Sequence, residues 1–279
     1  MQFAGNTAHM YLMKKLTRNV DWLSAIILLI SLSSILYVSR VSTLYQHFAE
    51  DLFLNKQSKP SEAFNPDKCS DLTVYRDIND VLANPEKICR YSAAGQNLTD
   101  FPDKLLLLTN LEILDLHGNR LTSLPDGLEN LKKLKEIDLG DNLFTEMPPV
   151  LTKLASLAKL ELGFNRLTGI PLSIGELKQL NFLSLNRNQL ASLPDSMGDL
   201  ENLKSLELTG NQLKDLPANL NRVPIRELYL NDNLFSEIPS VINGLKNLEV
   251  LHMKNNPFKE APQLPKLPLL QQIELPSVF

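Results

Sequence analysis

The chain has 279 residues, 28 Lys+Arg against 32 Asp+Glu, a net charge of −4 and two cysteines. At about 150 residues per domain it holds one or two domains with a sizeable core, and its 22% charged and 43% hydrophobic residues are those of a folded protein. Two cysteines exclude a disulfide-dense scaffold and a four-cysteine zinc site, and the acidic balance excludes nucleic acid as the main partner.

Charge is divided along the chain. Residues 1–60 carry six basic side chains (Lys14, Lys15, Arg18, Arg40, Lys56, Lys59) and three acidic ones (Asp21, Glu50, Asp51), while the rest carries 22 basic and 29 acidic. Trp22 to Val38, WLSAIILLISLSSILYV, runs for 17 residues without a charge. A membrane span needs about 17–25 apolar residues, and Trp22 and Tyr37 stand at the two ends, where aromatic rings favour the headgroup region. Lys14, Lys15 and Arg18 precede the run, so positive-inside logic keeps residues 1–20 in the cytoplasm and sends everything after Tyr37 across the membrane. Residues 1–39 thus read as a cytoplasmic N-terminus and signal anchor. Two other readings stay open. One is a cleaved signal peptide starting at Met13-Lys14-Lys15, against which no A-x-A-like site follows the run. The other is a buried core helix. Residues 40–68, ending in QSKPSEAFNPDK, read as a linker or stalk.

Next comes CSDLTVYRDINDVLANPEKIC, Cys69 to Cys89. Val74, Ile78, Val81 and Leu82 fall at i, i+4, i+7 and i+8, which predicts an amphipathic helix within 69–87, ended by Asn84-Pro85.

From residue 88 the chain repeats itself. Blocks of the form L-x-x-L-x-L-x-x-N-x-L-x-x-L-P open at Leu111, Leu134, Leu157, Leu180, Leu203, Ile225 and Leu248, spaced 23, 23, 23, 23, 22 and 23 residues apart. A degenerate block opens at Ile88 and a final half-block, LQQIEL, at Leu270. In each L-x-L triplet both leucines point one way and the middle residue the other. One such strand cannot bury its leucines alone, whereas stacked copies share a continuous core. The Asn column (Asn119, Asn142, Asn165, Asn188, Asn211, Asn233, Asn256) stands where the chain leaves the strand, and its amides can satisfy backbone groups of the bend. The closing prolines (Pro125, Pro148, Pro171, Pro194, Pro217, Pro239, Pro262) stop the extended segment. The stretch after each, such as DGLENLKK, predicts a turn or two of 3₁₀ or α-helix.

These residues resemble the leucine-rich repeat family, in its 23-residue LPxxLxxL subclass, over about residues 88–275. The resemblance implies an α/β solenoid, a horseshoe with a concave parallel sheet of about nine strands and short 3₁₀ or α turns outside. At about 4.8 Å per strand the inner arc runs to roughly 40 Å. The 69–87 segment looks like the cap helix that precedes bacterial leucine-rich repeats. Cys69 and Cys89 would bracket it as a disulfide if the domain leaves the cytoplasm, or remain two thiols if it does not. No comparable cap follows the last strand at 270–275, so weak self-association through that edge is expected.

No catalytic motif is present: no GxxxxGK[ST], HExxH, GxSxG or kinase set, and His9, His47, His117 and His252 are scattered. The expectation is a non-enzyme with no cofactor and no metal. The frame places variable concave positions at the third, fifth, seventh and eighth of each block. Among these, Asp115, Asp138, Glu161 and Glu207 form an acidic fifth-position row, and Phe164, Phe182, Tyr229 and Arg187 are candidate anchors. Such a face suits a protein or peptide partner of basic character. The leading reading is a membrane-anchored or exported interaction module, single-pass, with the repeats outside the cytoplasm. The alternatives are an intracellular scaffold resembling the Ras-pathway leucine-rich repeat proteins and a surface adhesion protein that binds glycan or itself.

Overall fold

The computed structural model of the protein describes residues 74–260 and 267–276. The apolar run 22–38, the linker 40–68, Cys69 and Pro262 lie outside them. Among the described residues no helix is long and apolar enough to cross a membrane.

Nine three-residue strands form one parallel sheet in sequence order. They are β1 (Arg90–Ser92), β2 (Ile113–Asp115), β3 (Glu136–Asp138), β4 (Lys159–Glu161), β5 (Phe182–Ser184), β6 (Ser205–Glu207), β7 (Glu227–Tyr229), β8 (Val250–His252) and β9 (Gln272–Glu274). Each strand holds the third to fifth positions of its block. The register is set by the repeat length: Leu114 pairs with Ile137, Ile137 with Leu160, and so along the sheet. The middle residue of each strand from β2 to β8, the fourth of its block, points inward and is buried, as are the residues that open the blocks and those that follow the strands. Burying one such leucine stabilises the fold by ~1.5–3 kcal/mol. Phe144 and Phe235 replace leucine at the eleventh position and are fully buried.

The outer side is built of five-residue 3₁₀ helices, from Asp103–Leu107 to Ser240–Gly244, one after each of β1 to β7. No α-helix occurs there among the described residues. Pro125, Pro171 and Pro194 are the caps that precede these helices, with φ between −69° and −73°. The ring's fixed φ suits this corner, and the missing N–H removes a strand donor where the strand must end. The one 22-residue repeat loses its residue outside the sheet. Val223, closing its 3₁₀ helix, is extended (ψ 135°), whereas Leu131 and Leu177 at the same place have ψ 64°. The pairing of Ser205 with Glu227 therefore keeps its register.

The N-terminal segment departs from the predicted helix. Among its described residues only Ile78–Val81 is α-helical (α1), capped by the Asp77 carboxylate, which accepts from the Asn79 N–H at 2.8 Å. Tyr75 instead bridges in parallel to Tyr91, and the Ser92 N–H donates to the Tyr75 carbonyl at 2.9 Å. Two β-formers, Val74 and Tyr75, gain more by covering the open edge of β1 than by continuing a helix. At the other end the apolar residues Leu267, Leu270, Ile273 and Leu275 are only partly buried, and Leu269 is exposed.

Candidate functional site: the concave face and its rim

The buried asparagines shape the margin of the concave face. Asn165 Nδ2 donates to the carbonyls of Leu139 (3.0 Å), Leu162 (3.1 Å) and Gly163 (3.2 Å), and its Oδ1 accepts from the Phe144 N–H at 3.1 Å. The pattern recurs at Asn119, Asn142, Asn188, Asn211, Asn233 and Asn256. Each inner carbonyl thus takes two amides: Leu116 O accepts from Asn119 and Asn142. A second ladder lies beside it. The eighth residue of each block is left-handed, with φ between 50° and 73° at Gly95, Gly118, Asp141, Phe164, Arg187, Gly210, Asp232 and Asn255. In that conformation its N–H turns to the next repeat, as when Phe164 N–H donates to Asn186 O at 2.8 Å and Asp141 N–H to Gly163 O at 2.9 Å.

The fifth-position row, Asp115, Asp138, Glu161, Ser184, Glu207, Tyr229 and His252, lies strand against strand. The structure brings the four acidic candidates onto one face, but gives each an internal task. Asp115 Oδ1 accepts from the His117 N–H at 3.0 Å and its Oδ2 from Ser92 Oγ at 2.8 Å. Asp138 Oδ1 accepts from the Gly140 N–H at 2.8 Å. Glu161 pairs with Lys159 at 2.6 Å, and Glu207 accepts from Ser184 Oγ at 2.8 Å. Burial, and then the charge of Asp138, push the Asp115 carboxyl above the usual range. Burial does the same for Glu207 against the opposing pull of Ser184 and Lys159. At the far end, Tyr229 meets His252 edge to face at 5.1 Å, and Glu274 is shared by His252 (3.4 Å) and Lys254 (3.0 Å).

The middle of the array carries the other two aromatic candidates, Phe164 and Phe182. Lys159 lies over the Phe182 ring at 5.3 Å, and Arg187 over the Phe164 ring at 5.5 Å. Phe164 and Arg187 stand exposed on the rim, away from Tyr229.

The repeat frame places the seventh-position column on the concave face, but no residue of it was among the candidates. His117 leans across Gly140, its Nδ1 3.8 Å from Asp138 Oδ1. A Cβ on Gly140 would come within 2.9 Å of that nitrogen, and one on Gly163 within 1.7 Å of Asn186 Oδ1. Two successive glycines therefore let His117 and Asn186 fold inward from either side. Burial pulls the His117 pKa down, but the hydrogen bond and charge of Asp138, with Asp115 and Asp141, outweigh it and leave it above 6.5. The glycine pair at one repeat spacing was the visible signal. Among the described residues no group of His, Cys, Asp and Glu is arranged to hold a metal.

A search of the curated proteins returned no match. The family model described as "Leucine rich repeat" matches residues 95–144, 109–167 and 155–213. Among solved structures the chain is similar to an internalin C2 from Listeria monocytogenes, at 28% identity and TM-score 0.61, covering 69% of this chain and 83% of that one. It is similar to the ectodomain of the plant membrane receptor kinase GASSHO1/SCHENGEN3 from Arabidopsis thaliana, in complex with Casparian strip integrity factor 2, at 31% identity and TM-score 0.59. It is also similar to the plant peptide hormone receptor RGFR1 in complex with RGF2, at 28% identity and TM-score 0.53. These two cover 68% and 63% of this chain, which spans only 24% and 30% of theirs. The repeat frame, the parallel sheet in sequence order and the family match agree: this chain is a leucine-rich repeat protein.

Proposed function

We propose that the protein is a non-catalytic interaction module that binds a protein or peptide on its concave face, carried to the far side of a membrane by residues 22–38. The observation that carries the reading is the sheet face itself. It is polar and acidic with half-exposed aromatic side chains, and nothing among the described residues covers it. Solved ectodomains of similar fold are in complex with Casparian strip integrity factor 2 and RGF2. Export is supported by the charge bias around the apolar run and by cysteine chemistry. Cys89 is buried, no described cysteine is free, and Cys69 is its proposed partner. A bridge closing a loop of about 20 residues stabilises by ~3 kcal/mol in the chain-entropy model.

Two measurements test this. A topology reporter fused after Phe279 is expected on the non-cytoplasmic side; a cytoplasmic reporter overturns the export reading. Changing Asp115→Asn, Asp138→Asn, Glu161→Gln and Glu207→Gln together keeps the side-chain shapes and should weaken a basic partner at least tenfold while flattening its salt dependence. Unchanged affinity and salt slope overturn the concave site.

A further inference from the structure

The left-handed column on the rim is uniform in backbone and uneven in residue type. Gly95, Gly118, Gly210, Asp141, Asp232 and Asn255, with φ between 51° and 73°, are residues that adopt this conformation at little cost. Phe164 (φ 55°) and Arg187 (φ 50°) are not. They occupy neighbouring repeats and touch one another, and Phe164 is 44% exposed. On one side Asp141 continues the ridge, and on the other Gly210 makes room for it, since a Cβ there would sit 3.1 Å from Arg187 Cγ. Arg187 has no ion pair among the described residues. Strain of this kind persists where the surroundings impose it, and the inter-repeat N–H ladder imposes it here. The scaffold needs the φ value, not these two side chains.

We propose that Phe164 and Arg187 form the anchor platform of the partner site, taking an aromatic side chain of an extended peptide segment that carries Lys or Arg two to three residues away. This rests on the concave-face reading above and names its partner chemistry. A guanidinium stacked on an aromatic ring offers a flat surface on which a third ring can lie, with Arg and aromatic residues the usual hot-spot types. Charge complementarity fixes the flank. Across the two preceding repeats stand Asp141, Asp138, Glu136 and Asp115, with Lys159 already held by Glu161. Those carboxylates lie one to two strand spacings away, ~5–10 Å, the reach of two or three residues of extended chain.

The test uses the full chain and a phage-displayed library of random 12-residue peptides, with Phe164→Asn and Arg187→Gly, residue types that other repeats hold at this position. The enriched peptides should combine an aromatic with nearby Lys or Arg. They should lose at least tenfold in affinity on either variant, while each variant melts ~2–4 °C higher through relief of strain. If the peptides bind the two variants as well as the parent but are lost on the fourfold carboxylate variant, the platform is refuted and the concave site stands. If they are insensitive to all the variants, both fall. A drop in melting temperature with unchanged binding would mark the pair as structural and also refute the platform.

Discussion

Asp115 illustrates how a residue can look like a partner site and serve the fold as well. Its two oxygens are taken up by His117 N–H and Ser92 Oγ, yet burial first and Asp138 second hold its pKa above the ordinary 3.8. The folded state therefore binds this proton more tightly than the unfolded chain does. Ionisation costs stability at neutral pH, and that cost is relieved as the pH falls through the folded value. Asp115→Asn is expected to raise the urea midpoint at pH 7 and to leave it unchanged near pH 3; an equal effect at both would exclude the electrostatic cause. His117 works in the other sense of charge. Its raised pKa means that the protonated ring stabilises the fold below 6.5 and that this contribution fades as the pH rises through the folded value. A urea series from pH 5 to pH 9 should show that decline in the parent and not in His117→Gln. Phe144 has no such ambiguity: it is fully buried in the core, and Phe144→Ala should cost ~3–5 kcal/mol in the same assay. The membership of the acidic row was legible from the frame alone. That the oxygens of Asp115 and Asp138 hold backbone amides was not, because those bonds depend on how sharply the chain turns after each strand.

The turn is the element that the asparagines define. In Asn165→Ala the carbonyls of Leu139 and Leu162 keep a second amide donor, from Asn142 and Asn188, so the orphaned group is the buried Phe144 N–H. One unsatisfied buried donor and the small void beside it should cost ~2–3 kcal/mol. A loss below 0.5 kcal/mol in denaturant titration would contradict the ladder. Asn119 sits at the margin, where its Oδ1 accepts from Leu98 N–H and Leu98 is only partly buried, so its loss should cost less. The outer elements were legible as short helices, 3₁₀ or α, and the structure makes them 3₁₀. Five residues between a proline corner and the next buried leucine leave no room for i→i+4 bonds to propagate. In the segment before β1 the helical spacing holds at Ile78–Val81, while the unpaired edge of β1 offered Tyr75 better bonding than a longer helix.

At the scale of the molecule each repeat touches little beyond its neighbours, so stability should add along the array. Excision of residues 157–179, one full block containing β4, rejoins the frame at its own boundary. The shortened chain should fold with one strand fewer and unfold cooperatively, with an m-value reduced in proportion to the surface lost. Excision of 157–168 places leucines opposite turn residues and should leave no cooperative transition. If both deletions behave alike, the stacking account fails.

The sequence by itself determined the solenoid, the inward leucines and the strand register, since a period of 23 residues in a one-dimensional stack fixes which residue neighbours which. Only the tertiary structure decided what the neighbours do to one another. The Arg187–Phe164 stack, the fold of His117 over Gly140 and the covering of β1 by Tyr75 join residues between 16 and 23 positions apart. Their geometry follows from side-chain direction at left-handed turns and from an unpaired strand edge, and a repeat pattern written in residue types carries neither.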